Sequence, residues 1–279
     1  MVDITGTISK ATEIAFLIDT TGSMKPAIDD VRKHIEKTCE ELFKDIPGLK
    51  VGFISHGDYC DGANCYALQP LTDDQPKVFS FIRNSPATSG GDAPECYELV
   101  LNLSKTLGWS DSKGGKVVVI IGDDEPHDVD YPGNKDKLDW RKELRDLKEL
   151  GINVYPLQCL YKSYVKDGVN AFWSEIGEIM NTPLLKLDNF EETSQAINSF
   201  AYASGGTAAY AAYEKKLCVS GLNMSDNIKT MNAILRSETP KYDVIEELPP
   251  EPEMTIKSDV KIEEVPVKKT RGRPKKKKT

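Results

Sequence analysis

Residues 14 to 23 read Ile14-Ala15-Phe16-Leu17-Ile18-Asp19-Thr20-Thr21-Gly22-Ser23, an unbroken apolar run that ends in a carboxylate and is followed by hydroxyls around a glycine. A run apolar on both faces is what a strand buried inside a parallel sheet requires. At its C-terminal end Asp19, Thr21 and Ser23 can turn their oxygens toward one point, with Gly22 allowing the turn. Such a cluster, all oxygen and without His or Cys, suits a hard cation such as Mg²⁺ or Mn²⁺. The bland alternative for these five residues is a strand-to-helix turn with Ser23 as N-cap.

Outward from this stretch, Ile28, Val31, Ile35, Cys39 and Leu42 recur at helical spacing after Pro26, so a helix begins where the oxygens end. That puts the cluster at the carboxyl edge of a strand and beside a helix N-terminus, where open α/β sheets place ligands. The Asp-x-Thr-Gly-Ser segment behind a buried strand resembles the first metal-binding segment of the von Willebrand factor A domain family. In that family three separated loops build a metal-ion-dependent adhesion site. The third loop has its counterpart in Lys116-Val-Val-Val-Ile-Ile-Gly-Asp123, where the resemblance makes Asp123 an outer carboxylate. The second falls in Thr88-Ser-Gly-Gly-Asp92-Ala-Pro-Glu95. Members usually supply a threonine there, but a sub-branch carries a similar Gly-Gly-Asp-x-Pro-Glu segment, which favours Asp92 over Thr88. Asp92 also reads as the N-cap of a helix, in a capping box with Glu95. The resemblance thus implies Thr21, Ser23 and Asp92 (or Thr88) as direct ligands, with Asp19 and Asp123 acting through water. The open position would take a carboxylate or other oxygen from a protein partner.

The remaining pattern predicts strands at Lys50–Ser55, Cys65–Leu71 (at an edge), Asn153–Leu157 and Leu184–Leu187. It predicts helices at Gln75–Ile82, Glu95–Leu107, Leu138–Leu150 with Gly151 as C-cap, about Ala171–Met180, and Glu191–Tyr202. Pro156 points to an edge position or a bulge. Alternating strands and helices argue for a doubly wound, mostly parallel α/β sheet flanked by helices, which is the von Willebrand A fold. This domain is expected over residues 1–204, with a helical extension at 205–236 whose second helix is capped by Ser225. Residues 237–267 read as an acidic, Pro/Glu-rich disordered linker and 268–279 as a basic tail.

His56, Asp58, Cys60, Asp61 and Cys65 lie close in sequence, but without a second cysteine pair they read as a loop beside the metal face and not as a zinc site. The six cysteines form no disulfide framework. Residues 1–12 hold no apolar stretch of a signal peptide, and no run approaches transmembrane length. The expectation is an intracellular, non-enzymatic protein with no membrane partner.

The last twelve residues hold eight basic side chains and no acid, and removing them from the net charge of −8 leaves −16 on residues 1–267. Arg271-Gly272-Arg273-Pro274, flanked by Lys268, Lys269, Lys275 and Lys276, resembles an AT-hook. In that motif arginines follow the negative potential of a narrow A·T minor groove and glycine permits close approach, while flanking lysines bind phosphates. The bland alternative is a nuclear localisation signal. A DNA-containing compartment, nuclear or other, follows from either. Two other function classes stand beside the binding module. Asp19-Thr-Thr21-Gly-Ser23 is also similar to the nucleophile loop of haloacid-dehalogenase-type phosphoryl transferases, with Asp19 as nucleophile. Thr21 stands where those phosphatases need a second aspartate, and the helix leaves no room for their flap. The third class is an architectural DNA-associated protein with a vestigial metal site.

Overall fold

The computed structural model describes residues 12–91, 93–111, 115–160, 167–187, 190–204, 207–220 and 224–238. Its centre is β1 (Glu13–Asp19), every residue of which is buried. On one side β1 pairs in parallel with β2 (Lys50–His56), which pairs antiparallel with the edge strand β3 (Tyr66–Thr72). On the other it pairs in parallel with β4 (Lys116–Gly122), then β5 (Asn153–Cys159) and β6 (Leu185–Leu187). The sheet order is β3-β2-β1-β4-β5-β6. Strands β2 and β3 lie on one side of β1 and β4 to β6 on the other, so the strand order reverses between β1 and β4, where open α/β sheets bind ligands at the carboxyl ends of the strands.

Strand pleating sends alternate side chains of each central strand to opposite layers. Ile14, Phe16 and Ile18 of β1 join Val117, Val119 and Ile121 of β4 in one core, while Ala15, Leu17, Val118 and Ile120 enter the other. The first core is covered by α1 (Lys25–Asp45), α2 (Gln75–Asn84) and α6 (Phe190–Ser204). The second lies under α3 (Tyr97–Ser104), α4 (Trp140–Glu149) and α5 (Asp167–Met180). Two further helices, α7 (Thr207–Ser220) and α8 (Asp226–Glu238), bury Tyr210, Tyr213, Leu217, Ile228, Met231 and Leu235 in the first core. The Tyr213 ring stacks on Tyr202 of α6 at 4.6 Å. Ser225 Oγ accepts the Ile228 amide at 3.3 Å, as an N-cap does.

The doubly wound sheet matches the expected fold, with local differences. Helix α3 starts at Tyr97 and not at Glu95, because the Glu95 amide donates to the Glu125 carbonyl (2.8 Å) and the residue bridges to Pro126. The residue before α3 is Cys96, with no side-chain cap, so Glu95 is not the third residue of that helix, and Asp92, its expected capping partner, lies outside the described residues. Ser23 does not cap α1 either. A single 3-10 turn, Gly22–Met24, precedes that helix, and Ser23 turns its hydroxyl toward β4. Pro156 is tolerated one residue before the stretch of β5 that β6 covers, where that side of β5 is an edge. Gly151 ends α4 at φ 71, the left-handed geometry expected of a C-cap glycine. No helix among the described residues is long and apolar enough to cross a membrane.

Candidate metal centre

Adjacent parallel strands β1 and β4 end side by side, with Ile18 in register with Ile121, so the loops after Asp19 and Gly122 emerge together. Gly122 has to be glycine. A Cβ there would lie 2.0 Å from the Tyr97 hydroxyl and 3.0 Å from Asp19 Cβ. This close passage lets Tyr97, at the start of α3, donate its hydroxyl to Asp19 Oδ2 at 2.7 Å.

The other Asp19 oxygen, Oδ1, accepts the Thr21 amide at 2.8 Å and the Thr21 hydroxyl at 2.6 Å. Ser23 Oγ donates to Asp123 Oδ1 at 2.9 Å. The two hydroxyl oxygens stand 3.1 Å apart. Each hydroxyl carries one proton and two lone pairs. With both protons given to carboxylates, the lone pairs of two neighbouring oxygens are left to accept. That is the state of a hydroxyl whose oxygen serves a cation while its proton serves an outer carboxylate.

The surrounding charge points the same way. Burial raises the Asp19 carboxyl above its ordinary value despite the bonds from Thr21 and Tyr97, and nearby Asp124 adds to the rise. Glu95 is buried, its Oε2 has no hydrogen-bond partner, and its carboxyl is pushed up to about 10. The cause is burial first, then Asp19, Asp58, Asp124 and Asp123, all of its own sign. Such a concentration of buried acid is stabilised by a proton or a metal ion. The described residues contain no group of three or more His, Cys, Asp or Glu side chains able to hold an ion by themselves. Any cation here would depend on the Thr21 and Ser23 hydroxyls.

The structure therefore brings Asp19, Thr21, Ser23 and Asp123 together. Thr88 stands apart. Its hydroxyl meets Thr20 Oγ1 at 3.1 Å, and Thr20 in turn donates to the His56 carbonyl at 2.9 Å. Asp92 lies outside the described residues, as do Lys268, Lys269, Arg271, Gly272, Arg273, Pro274, Lys275 and Lys276. Behind the second loop, Asp61 accepts the amides of Ser89 (3.1 Å) and Gly90 (3.3 Å) and forms a capping box with Asp58. Asp58 Oδ1 meets His127 Nε2 at 2.6 Å, and the His127 ring stacks on Tyr131 at 3.7 Å. His56 packs edge-on against Tyr97 at 4.8 Å, and burial lowers it to about 4. Sequence reasoning placed Asp61 in a loop beside the metal face but missed Tyr97, Glu95 and His127 as supports of the site. The one available signal was their proximity to the Gly-Gly-Asp-x-Pro-Glu and Asp123-Asp-Glu-Pro segments.

Residues 13–199 match the model of the von Willebrand factor type A domain. The chain belongs to that family. Domains of this type generally serve protein interaction. A curated relative, the alpha-protein kinase vwkA of Dictyostelium discoideum, is 30% identical in an alignment 162 positions long that covers 53% of this chain and 25% of the kinase. The chain thus spans about a quarter of that relative. Among solved structures, the pilus adhesin SpaC of Lactobacillus rhamnosus GG aligns with a TM-score of 0.51 at 17% identity, covering 81% of this chain and 31% of the adhesin. Its open conformation aligns at 0.50 and 16%. At such identities the likeness extends to the von Willebrand A fold alone.

Proposed function

We propose that the protein is an intracellular, Mg²⁺- or Mn²⁺-dependent protein-binding von Willebrand A module, held at DNA by its basic tail. The observation that carries the cation reading is the pair of hydroxyls, Thr21 and Ser23, 3.1 Å apart, each donating to a carboxylate. Thr21 and Ser23 would hold the cation directly, with Asp92 (or Thr88) from the second loop, and Asp19 and Asp123 would bind behind water. A bound cation would offer a Lewis-acidic position to a carboxylate or other oxygen of the partner. This chain's own residues fix the hydroxyls, orient Asp19 through Thr21 and Tyr97, and set the charge. A carboxylate at Asp92, in place of a threonine, adds negative charge and lowers the cation's pull on an acidic ligand.

In this reading residues 1–204 form the binding module, 205–236 extend it, and 237–267 link it to the DNA-contacting tail of 268–279, in the nucleus or another DNA-containing compartment. Support for the tail is the Arg271-Gly272-Arg273-Pro274 core among lysines. The phosphoryl-transfer reading gains nothing from the site. Both oxygens of Asp19 are engaged by hydrogen bonds and the side chain is fully buried, which is poor preparation for a nucleophile.

Thermal unfolding tests the cation reading. At a concentration 100-fold above its dissociation constant a cation adds about 2.7 kcal/mol to stability. Mn²⁺ is expected to raise the melting temperature of the wild type by several degrees and to leave Ser23→Ala unmoved, with no phosphatase turnover in either sample. Equal melting in Mn²⁺ and chelator would overturn the reading, and Asp19-dependent turnover would replace it with phosphoryl transfer.

A further inference from the structure

Cys65 and Cys96 are 31 residues apart in the chain, yet their sulfurs lie 3.3 Å apart, both are buried and neither is in a disulfide. Gly57 holds the two segments together. Its amide donates to the Cys65 carbonyl (2.8 Å), and its own carbonyl accepts the Cys96 amide (3.4 Å) and the Cys96 thiol (2.9 Å). The segments matter because of what they carry. Cys65 closes the 3-10 turn Tyr59–Asn64, whose Asp61 grips the amides of Ser89 and Gly90, and Cys96 directly precedes α3. Gly57 itself is wedged against the second loop, since a Cβ on it would lie 2.4 Å from both Asp61 Oδ2 and Thr88 Oγ1. The Cys96 proton goes to the Gly57 carbonyl, which leaves the Cys96 sulfur facing the Cys65 sulfur. Cys65 is the more exposed of the two, at 6% against 0%, so it is the sulfur a hydroperoxide reaches first, with Cys96 placed to resolve it.

We propose that Cys65 and Cys96 form a redox-modification site, closing to a disulfide when a hydroperoxide oxidises the protein, and that this bond restrains the loop of Ser89 and Gly90. The Cys65 sulfur attacks one peroxide oxygen, the O–O bond breaks, and the other oxygen leaves as water or an alcohol. The resulting sulfenic acid is attacked by the Cys96 sulfur. The S–S bond forms as hydroxide departs, and the Cys96 proton converts that hydroxide to water. Two thiols thus lose two electrons and two protons, and one hydroperoxide is reduced. A dithiol reductant returns both thiols by exchange. The new bond would tie the turn that carries Asp61 to the segment that follows Ser89 and Gly90, and so hold Asp61 against their amides. The inference is independent of the cation reading, because it concerns the metal-free protein.

The test treats the full chain with hydrogen peroxide in the presence of chelator. Two of the six thiols should be lost, peptide mapping should join residue 65 to residue 96, and dithiothreitol should restore both. Cys60→Ser should form the link, while Cys65→Ser and Cys96→Ser should not. Amide exchange at Ser89 and Gly90 should slow by about tenfold in the oxidised protein, as loop opening becomes costlier. Absence of the 65–96 link in the wild type, or a link from Cys60 in its place, would overturn the site. A link that leaves the two amides exchanging as before would overturn the restraint.

Discussion

Glu95 shows how a single side chain couples the site to solution conditions. The folded metal-free protein keeps its carboxyl protonated up to about 10, while the unfolded chain releases that proton near its ordinary 4.5. Its contribution to stability is therefore complete below pH 4.5 and is lost as pH rises toward 10, at up to about 1.4 kcal/mol per pH unit. Glu95→Gln removes this linkage. Urea unfolding in chelator should find the variant more stable than wild type at pH 8, by at most roughly 3 kcal/mol beyond any difference at pH 5.5. A gap that does not change with pH would show that Glu95 is not held neutral. None of this was legible in the sequence, where Glu95 read as the third residue of a helix. The structure moves the helix start to Tyr97 and draws Glu95 into a bridge with Pro126. By contrast Asp19, Thr21, Ser23 and Asp123 were legible, because a buried strand delivers the residues at its end to one crevice whatever the loops do later.

The elements carry their own test at the crossing of β4 and α3. Gly122→Ala would drive a methyl group into the Tyr97 hydroxyl and against Asp19 Cβ. Overpacking of this kind costs typically 1–3 kcal/mol, and losing the Tyr97 donor from buried Asp19 adds to it. A stability loss of about 3 kcal/mol in urea unfolding is expected, and an unchanged midpoint would mean that Tyr97 does not cross here. At this scale the helices and central strands could be read directly, because apolar runs and 3.6-residue periods record which faces are buried. The antiparallel direction of β3 could not. Its burial pattern is half-exposed throughout, and a short edge strand packs equally well either way along β2. The meeting of Cys65 and Cys96 was equally hidden, since it depends on Gly57 joining two segments distant in sequence.

Over the whole molecule, an acidic body of net charge −16 is linked to a tail with eight cationic side chains. Chain 1–267, without the tail, should lose binding to A·T-rich duplex DNA. Full-length binding should weaken with salt at a slope of roughly −0.9 per phosphate contacted. Equal DNA affinity with and without residues 268–279 would remove the tether. The family and the sheet were readable from two strand ends, while the support of the site came from loops whose contacts no local pattern encodes. The central claim is that oxygens at the ends of β1 and β4 hold a divalent cation, and calorimetric titration with Mg²⁺ and Mn²⁺ tests it most directly. Saturable binding by the wild type, lost in Asp19→Ala with Ser23→Ala while the fold persists, is the predicted result. A wild type that binds neither ion, or a double variant that binds as tightly, would contradict it.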